Sequence, residues 1–356
     1  MTRAQAPYML WAKTRPRPAV DLAGSNLLAC SLDDLPGARD ALEIAGESPD
    51  GYPPLLDEIA RRHGVTADRV ATGGGCSGAN FLACAAAIDP GDHVLVERPY
   101  YDPLPAAAQM LGASVSTFAR RFEDGWDLDP DAIASAVNNR TRLLILSNPH
   151  NPTGTVASLD RLRAVVALAE RRGFLVLVDE VYRDTVEDRP PMAAAISEAC
   201  ISSSSLTKAY GLASLRCGWT IASSAVTGRI RRARDLVDNW APIPADRLSV
   251  IAFRNLDRLA ARARSIVGAN LRQVLSFLQS TPELECVRPV STLALPRIRG
   301  VPDSRSFAER LFRETGVAVA PGHFFGAPEH FRIAFGGDSA SVSAGLAAVV
   351  RCLRSA

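Results

Sequence analysis

Short apolar runs alternate with helix-like stretches through the middle of this 356-residue chain, and this alternation restricts its fold more than any other feature. The helix-like stretches include Pro105–Leu111, Pro130–Val137 and Ser158–Arg172. Six runs are predicted to be strands: His93–Glu97, Ser114–Phe118, Leu143–Ser147, Leu175–Val178, Ala199–Ser203 and Trp219–Ala222. Strands that alternate with helices favour an α/β domain whose mainly parallel sheet is covered on both faces.

The C-terminal third of the chain has a different pattern. One long helical stretch, roughly residues 245–279, leads out of the α/β region. The segments after it are three short strand candidates and two helices: Leu293–Arg297, Val317–Val319 and His330–Ala334, then Ser304–Glu314 and Ser339–Arg354. This mixture predicts a second, α+β domain.

Composition excludes several classes of protein. An apolar content of 47% with a mean hydropathy near zero is typical of a globular chain, and no apolar run is long enough to span a bilayer. The net charge of +2 is too small, and the arginines too dispersed, to indicate nucleic-acid binding. Seven cysteines without a C-x-x-C pair predict reduced thiols in a cytoplasm, not a disulfide framework or a metal site. No basic segment followed by an apolar one opens the chain, so we expect no secretory signal.

Lysine is nearly absent from the chain. Of the 40 residues that are Lys or Arg, only Lys13 and Lys208 are lysines. Base composition explains this scarcity, but not the hydroxyl-rich setting of Lys208 in Ser-Ser-Ser-Ser-Leu-Thr-Lys-Ala-Tyr-Gly-Leu (202–212). Arginine cannot replace lysine in forming an imine with an aldehyde, because its guanidinium stays protonated. Lys208 is therefore a candidate nucleophile, whereas Lys13 is predicted to be an exposed surface residue.

Two loops follow predicted strands, where open α/β sheets bind ligands. Residues 71–80, Ala-Thr-Gly-Gly-Gly-Cys-Ser-Gly-Ala-Asn, place three glycines between a strand and a helix. Their backbone N–H groups can approach a phosphate, although such turns are also common without a ligand. Residues 147–154, Ser-Asn-Pro-His-Asn-Pro-Thr-Gly, contain two Asn-Pro steps that enforce an extended turn. This turn either directs an Asn amide toward a ring oxygen or carboxylate, or is a plain loop.

Two more polar groups follow strands further along the chain. Asp179 and Tyr182 lie in Val-Asp-Glu-Val-Tyr (178–182), and a buried Asp179 needs a cationic partner. That partner is either a protonated heterocyclic nitrogen or an arginine. Ser205, Lys208 and Arg216 form the second group, in which a turn would bring a hydroxyl, an amine and a guanidinium to one anion. The S-x-x-K spacing also occurs in serine acyl-enzymes, but their Ser-Asp-Asn and Lys-Thr-Gly partners are absent.

These phrases together resemble the class I/II aminotransferase family of fold-type I pyridoxal 5′-phosphate (PLP) enzymes, from about Val20 to the C-terminus. The most specific are Asn-Pro-x-Asn-Pro-Thr-Gly and S-x-x-K-x-x-G-L-x-x-x-R-x-G. The resemblance implies the α/β PLP-transferase fold, with a mainly parallel seven-stranded sheet in a three-layer large domain, residues 36–255. It implies a smaller α+β domain made of residues 1–35 and 256–356, and a homodimer with shared active sites.

The resemblance assigns roles to residues of the α/β region. Lys208 would form the internal aldimine with PLP and move the substrate α-proton, and Asp179 would keep the pyridine nitrogen protonated. Tyr182 and Asn151 would hydrogen-bond the 3′ oxygen of the ring, and Tyr101 would stack on its face. Lys208, Asp179 and Tyr182 are thus the expected catalytic residues. Four residues would hold the phosphate: Gly75, Cys76, Ser205 and Arg216, the first two through backbone amides.

Arg332, in Phe-Arg-Ile-Ala-Phe (331–335), would bind the substrate α-carboxylate together with Asn151 and Gly24. The alternative is an arginine that extends from an apolar strand to the surface. Two positions depart from the family pattern. Cys76 stands where the phosphate turn usually carries a serine or threonine, and Gly46 stands where a tyrosine usually reaches the phosphate of the neighbouring subunit.

The resemblance implies a PLP-dependent aminotransferase acting on an L-amino acid and a 2-oxo acid. An alternative on the same fold is a lyase that breaks a C–S bond by β-elimination, or a cyclase similar to capreomycidine synthase. A ligand sensor without catalysis is the third hypothesis, and it is disfavoured because no helix-turn-helix segment is visible. Neither nucleic acid, membrane nor metal is expected as a partner.

Overall fold

The computed structural model describes residues 5–355, and its largest feature is one seven-stranded sheet. The strands, in chain order, are Val70–Gly74 (β1), His93–Arg98 (β2), Ser114–Ala119 (β3), Thr141–Ser147 (β4), Leu175–Asp179 (β5), Cys200–Ser205 (β6) and Cys217–Ile221 (β7). Their order across the sheet is β1-β7-β6-β5-β4-β2-β3. Every neighbouring pair is parallel except the two that involve β7, which is antiparallel to both β1 and β6. The mainly parallel seven-stranded sheet expected from the sequence is confirmed.

Eleven helices lie within the described residues. They are Pro7–Thr14 (α1), Pro53–His63 (α2), Gly75–Ala87 (α3), Pro103–Met110 (α4), Pro130–Ala136 (α5), Leu159–Arg172 (α6), Ser224–Asp235 (α7), Ile243–Arg254 (α8), Leu256–Ser280 (α9), Arg305–Thr315 (α10) and Ser339–Arg354 (α11). The predicted ends of the middle strands and helices differ from these bounds by one or two residues at most positions. Such differences arise where terminal residues keep only part of their backbone hydrogen bonds.

Alternating apolar residues cover both faces of the large sheet. Leu144 and Leu146 of β4 pack with α5 and α6 on one face, whereas Leu143 and Ile145 pack with α3, α4 and α7 on the other. Successive strand side chains point to opposite faces, so a strand buried on both sides must be apolar throughout. This explains why β4 appears in the sequence as an uninterrupted apolar run, and it produces the three-layer arrangement.

The single helical stretch predicted for residues 245–279 is wrong in one respect, because it consists of two helices, α8 and α9. Asn255 separates them with φ −108° and ψ 13°, outside the helical range. Its side-chain amide donates to the carbonyl of Ile251 at 2.9 Å, and its backbone N–H donates to the same carbonyl at 3.2 Å. Local bonds of this kind let asparagine end a helix that its apolar periodicity would continue.

A second core contains residues from both ends of the chain. Val20–Asp21 pairs in parallel with Val317–Ala318, and the core also takes in residues of α9, α10 and α11. Phe331–Ala334 is the central strand of a three-stranded sheet. The division into residues 36–255 and the two flanking segments stays a prediction.

The predicted strand Leu293–Arg297 is instead two short strands, Leu293–Ala294 and Arg297–Ile298, which belong to different sheets. Pro296 lies between them and has no N–H to donate to a neighbouring strand. Its carbonyl still accepts the N–H of Phe331 at 2.9 Å. The proline therefore lets the chain leave one sheet and join another.

The carboxyl ends of the parallel strands meet along one edge of the large sheet, where open α/β folds bind ligands. Because β7 runs in the opposite direction, its first residue reaches this same edge. Residues that follow β5 and β6 and residues that precede β7 therefore meet there. No helix between residues 5 and 355 is long and apolar enough to cross a membrane.

Candidate active site

A cavity of about 260 Å³ lies at this edge of the large sheet. Eight of the eleven predicted site residues line it, which places most of the sequence-based candidates around one space. These eight are Cys76, Tyr101, Asn151, Asp179, Tyr182, Ser205, Lys208 and Arg216. The other three, Gly24, Gly75 and Arg332, are not among its lining residues.

Lys208 follows β6 and directs its amine into the cavity. Its Nζ donates to Ser25 Oγ at 3.0 Å and to Asn26 Oδ1 at 2.7 Å. Burial first, and then the nearby Arg332 cation, lowers the pKa of Lys208 from 10.5 to about 8, while Asp179 opposes the change. Desolvation disfavours the ammonium form, so this lysine has a neutral amine available near physiological pH.

Asp179 is the last residue of β5, and its carboxylate is buried without a cation. Asn80 Nδ2 donates to Oδ2 at 2.8 Å, and the Val181 N–H donates to Oδ1 at 3.1 Å. Within residues 5–355 no Lys, Arg or His nitrogen lies within 4.0 Å of this carboxylate. Burial raises the pKa of Asp179, and the hydrogen bonds lower it in part. The sequence left two candidate partners for this carboxylate, an arginine and a protonated ring nitrogen of a ligand. The described part of the chain supplies no arginine, so the ligand nitrogen is the remaining candidate.

Cys76 contacts Asp179 through its side chain. The thiol Sγ lies 3.4 Å from Asp179 Oδ1 and 3.7 Å from Ser203 Oγ. Burial raises the pKa of the Cys76 thiol well above its usual value, and the Asp179 carboxylate raises it further. The side chain is therefore a neutral thiol that packs beside the carboxylate, and only the backbone of Cys76 remains as a candidate phosphate ligand.

Basic and hydroxyl groups converge at the other end of the cavity. Arg216 adopts φ +50° just before β7, and its Nη2 donates to the carbonyl of Gly74 at 2.8 Å. Ser205 is fully buried and accepts the backbone N–H of Thr207 at 3.2 Å. Helix α3 begins here, so its first N–H groups have no acceptor within the helix and its positive end faces the site. This arrangement is suited to a phosphate.

The structure corrects the expected role of Gly75. Its N–H donates to the carbonyl of Arg216 at 2.6 Å, so this amide is already committed. Its φ of +75° favours glycine, and a Cβ atom there would lie 2.2 Å from Arg216 Nη2. Gly75 therefore makes room for the guanidinium, and the free N–H groups belong to the residues after it.

Two tyrosines line the cavity beside Asp179. The hydroxyl of Tyr182 is buried, and no described group meets hydrogen-bond geometry with it. Burial raises the pKa of Tyr182, which nearby Arg332 and Ser25 lower in part. Tyr101 donates its hydroxyl to Met9 Sδ at 3.1 Å. A phenol that is buried without a partner is costly, which points to a ligand acceptor opposite Tyr182.

Asn151 is held by a chain of buried hydrogen bonds. Its N–H donates to Ser147 Oγ at 3.1 Å, and Ser147 Oγ donates to Glu97 Oε1 at 2.6 Å. Glu97 in turn accepts from Arg120 Nη1 at 2.8 Å, in an ion pair with both side chains buried. The side chain of Asn151 accepts from Arg332 Nη1 at 2.9 Å. The Asn-Pro turn is thus a positioned loop and not a plain connection.

Arg332 is fully buried and not extended to the surface. Its Nη2 donates to the carbonyl of Ala23 at 2.8 Å and to the hydroxyl of Tyr8. Its guanidinium carbon lies 4.8 Å from the centre of the Tyr8 ring and 4.7 Å from that of Phe325. No carboxylate lies within 4.0 Å of it among residues 5–355. The buried cation therefore has only neutral partners, as a site for a ligand carboxylate requires.

Gly24 lies outside the cavity, contrary to its predicted role at the substrate carboxylate. Its N–H donates to Asp21 Oδ1 at 2.9 Å in a local turn, and its backbone is exposed. The next two residues, Ser25 and Asn26, line the cavity instead. The strip identified from the sequence does reach the site, but through different residues.

Sequence analysis missed two polar side chains at the site. Thr207 lines the cavity, and its buried hydroxyl has no hydrogen-bond partner in the described part of the chain. Its position directly before Lys208 was the only available signal. Tyr8 contacts Arg332 across 324 positions of sequence, and no motif in the N-terminal segment indicated this.

The residues present fit PLP group by group. Helix α3, Arg216, Ser205 and the unpartnered Thr207 hydroxyl match a phosphate, and Asp179 matches a protonated ring nitrogen. The unpartnered Tyr182 hydroxyl matches a ring oxygen, and the amine of Lys208 matches an aldehyde. Fold and site together define a PLP-dependent enzyme of fold type I.

Comparison with known proteins gives the family. The sequence model of aminotransferase class I and II matches residues 46–349, and the chain belongs to this PLP-dependent family. A capreomycidine synthase from Streptomyces vinaceus is 32% identical over 285 residues, 79% of this chain and 73% of that protein. A probable N-succinyldiaminopimelate aminotransferase from Mycobacterium tuberculosis is 30% identical over 286 residues, 76% and 72% of the two chains. The crystal structure of a PLP-dependent aminotransferase from Streptococcus suis has a TM-score of 0.94 at 26% identity, covering 100% of this chain and 99% of that one.

Proposed function

We propose that the protein is an aminotransferase that moves an amino group from an L-amino acid to a 2-oxo acid, with Lys208, Asp179 and Tyr182 as its catalytic residues. One observation supports this proposal most directly. A single cavity contains a lysine whose pKa is lowered to about 8 and a buried aspartate that has no cation within 4.0 Å among residues 5–355. Transamination needs a base that is neutral near pH 7 and a fixed negative charge opposite the cofactor ring.

The proposed role of each residue follows from its position in the cavity. Bound PLP supplies an electron-withdrawing ring that stabilises the charge left on the substrate α carbon after proton loss. Lys208 accepts the α-proton at Nζ, and Ser25 and Asn26 hold that atom in place. Asp179 keeps the ring nitrogen protonated, and its three donors fix the carboxylate orientation.

Binding and orientation are assigned to the remaining residues of the site. Tyr182 and Asn151 would hydrogen-bond the ring oxygen of bound PLP, and Tyr101 would stack on its ring. Arg332 binds the substrate α-carboxylate, supported by its hydrogen bond to Asn151. A final set holds the phosphate: the first N–H groups of α3, including that of Cys76, with Ser205, Thr207 and Arg216.

A lyase or cyclase on the same scaffold is the second candidate. The observation that favours it is the 32% identity to a capreomycidine synthase. In such reactions, the same lysine and aspartate would first remove the α-proton. The two candidates differ in what happens next to the substrate side chain, and the described residues around Lys208 serve either outcome.

A half-reaction separates the two candidates. The PLP-loaded protein is mixed with single amino acids from a panel, and the cofactor absorbance and products are recorded. Transamination yields pyridoxamine phosphate and one equivalent of 2-oxo acid, without a second substrate. Release of ammonia and a 2-oxo acid with PLP retained would establish elimination instead, and a cyclic amino acid would establish cyclisation. Lys208→Ala is the control, because it removes the base and should stop each of these reactions.

We further propose a homodimer in a cytoplasmic location. Exposed apolar side chains are concentrated in two segments: Leu42 and Ile44, then Leu236, Val237 and Trp240. Arg247, seven positions after Trp240, donates its Nε to the carbonyl of Ala41, the residue before Leu42, at 2.7 Å. Exposed apolar side chains of this kind are typical of an interface. All seven cysteines are free thiols, and this supports a reducing compartment, where disulfides are rare. Light scattering on the purified protein tests the dimer.

A further inference from the structure

The hydrogen bonds of Arg332 leave no complete edge of its guanidinium for a carboxylate. A planar guanidinium binds a carboxylate through two adjacent N–H groups. Two edges offer such a pair: Nε with Nη2, and Nη1 with Nη2. Atom Nη2 belongs to both edges, and it carries only two hydrogens.

Both hydrogens of Nη2 have acceptors in the structure. One faces the backbone carbonyl of Ala23 at 2.8 Å, and the other faces the hydroxyl of Tyr8. By contrast, among residues 5–355 the Nε atom has no partner, and Nη1 has one, Asn151 Oδ1 at 2.9 Å. The two groups on Nη2 alone therefore prevent bidentate binding at either edge.

Only one of these two acceptors can leave without changing the local chain. The carbonyl of Ala23 lies in a segment paired to the second core, where Leu22 N–H donates to the carbonyl of Ala318 at 2.9 Å. Tyr8 is a side chain on the short helix α1, near the N-terminus. We propose that Tyr8 occupies the place of a substrate carboxylate oxygen on Arg332, and that substrate binding displaces it. This inference rests on the proposed role of Arg332.

Displacement of Tyr8 requires movement of α1 as a whole. The ring is only 5% exposed, with its centre 5.3 Å from that of Phe325 and 6.0 Å from that of Trp11. It is too enclosed to rotate in place. The N–H of Tyr8 donates to Asp102 Oδ2 at 2.8 Å, which fixes the start of the helix. When α1 moves away, Nη2 recovers one N–H group and an edge for the carboxylate becomes complete.

The phenylalanine variant Tyr8→Phe tests the inference, because it removes the hydroxyl but keeps the ring that packs on Arg332. Binding of acetate, butyrate and 3-phenylpropionate to the PLP-loaded protein is measured by calorimetry. We expect these carboxylates to bind at least about tenfold more tightly to Tyr8→Phe than to the wild type, since one competing hydrogen bond to a charged group is lost. Leu10→Ala is the matched control on α1, because the Leu10 side chain is 66% exposed. This variant should bind the three carboxylates as tightly as the wild type does.

Hydrogen exchange of residues 7–14 provides a second measurement. Saturating 3-phenylpropionate should speed exchange of the α1 amides in the wild type, because the carboxylate displaces Tyr8. Weaker or unchanged carboxylate binding by Tyr8→Phe, or slower exchange of α1 on binding, would overturn the inference. If the PLP-loaded wild type transfers no amino group but Tyr8→Phe still binds carboxylates more tightly, the proposed function is wrong. The role of Tyr8 at Arg332 then still holds.

Discussion

The amine of Lys208 should lose its proton near pH 8 in the cofactor-free protein. The pKa falls from 10.5 to about 8 because the amine is buried and Arg332 is nearby. The difference of about 2.5 (10.5 − 8) makes the neutral amine about 300-fold more abundant at pH 7 than in an ordinary lysine. About a tenth of the molecules then hold a neutral Lys208, which is enough for a nucleophile or base.

The two-lysine composition lets this pKa be measured on one residue. Protein grown with lysine carrying 13C at the ε carbon gives two side-chain signals, one from Lys208 and one from Lys13. Lys208→Met identifies the signal, and Lys13 serves as the internal reference. The Lys208 signal should shift with a midpoint near pH 8, and Arg332→Met should raise that midpoint. A midpoint of 10 or above would refute the argument that burial and Arg332 set the reactivity of this amine.

The same pKa also predicts how stability depends on pH. Between about pH 8 and 10.5 the unfolded chain binds the proton that the folded protein has lost, so the unfolding free energy rises with pH. Below pH 8 the folded protein keeps a charged, buried lysine at a cost of about 3 kcal/mol. Lys208→Met removes this cost, so its stability advantage over the cofactor-free wild type should shrink by about 2 kcal/mol from pH 7 to 9.5. Reversible urea unfolding at the two pH values measures it, and a pH-independent difference would contradict the assigned pKa.

Other perturbations test separate parts of the site. Arg216→Ala should weaken PLP binding at least about tenfold, because a charge-assisted phosphate contact is lost; absorbance titration of the cofactor-free variant measures it, and an unchanged affinity would exclude Arg216 from the phosphate site. Ser147→Ala should raise KM for the amino acid about 5- to 30-fold with a smaller effect on kcat, because Asn151 loses a hydrogen bond. A change in kcat alone would argue against Ser147 as a residue that positions Asn151. Gly218→Ala should lose both PLP binding and thermal stability, because the added Cβ would lie 2.2 Å from the carbonyl oxygen of Gly75. A melting temperature within about 2 °C of the wild type would show that the backbone at Gly75 can move away from the added Cβ at little cost.

The sequence identified the parts of the site that depend on position relative to a strand end. Asp179 ends β5, Lys208 and Ser205 follow or end β6, and Arg216 precedes β7. Strand identity and direction are local properties, because they follow from apolar runs and from motif spacing. Once the strands are placed, these four residues must meet at one edge of the sheet.

The parts that were missed depend on contacts between distant segments. The N–H of Gly75 was expected to bind phosphate, but the carbonyl of Arg216 takes it. Tyr8 reaches Arg332 only because the N-terminal helix packs in an apolar cluster with residues as distant as Trp126 and Phe325. Neither contact produces a residue spacing or a periodicity that can be recognised in the sequence. The break at Asn255 was missed for a related reason, since a single polar residue ended a helix whose apolar period continues.

The reversed direction of β7 has a consequence for how such an enzyme can diversify. Because β6 ends and β7 begins at the same edge, one hairpin of twelve positions, 205–216, carries the hydroxyl, amine and guanidinium proposed to hold the cofactor. The two residues proposed at the substrate carboxylate, Tyr8 and Arg332, come from distant segments that share no element with that hairpin. Substitutions in these segments can alter substrate binding while the cofactor stays bound. Substrate binding and cofactor retention are therefore separable targets for selection and for engineering.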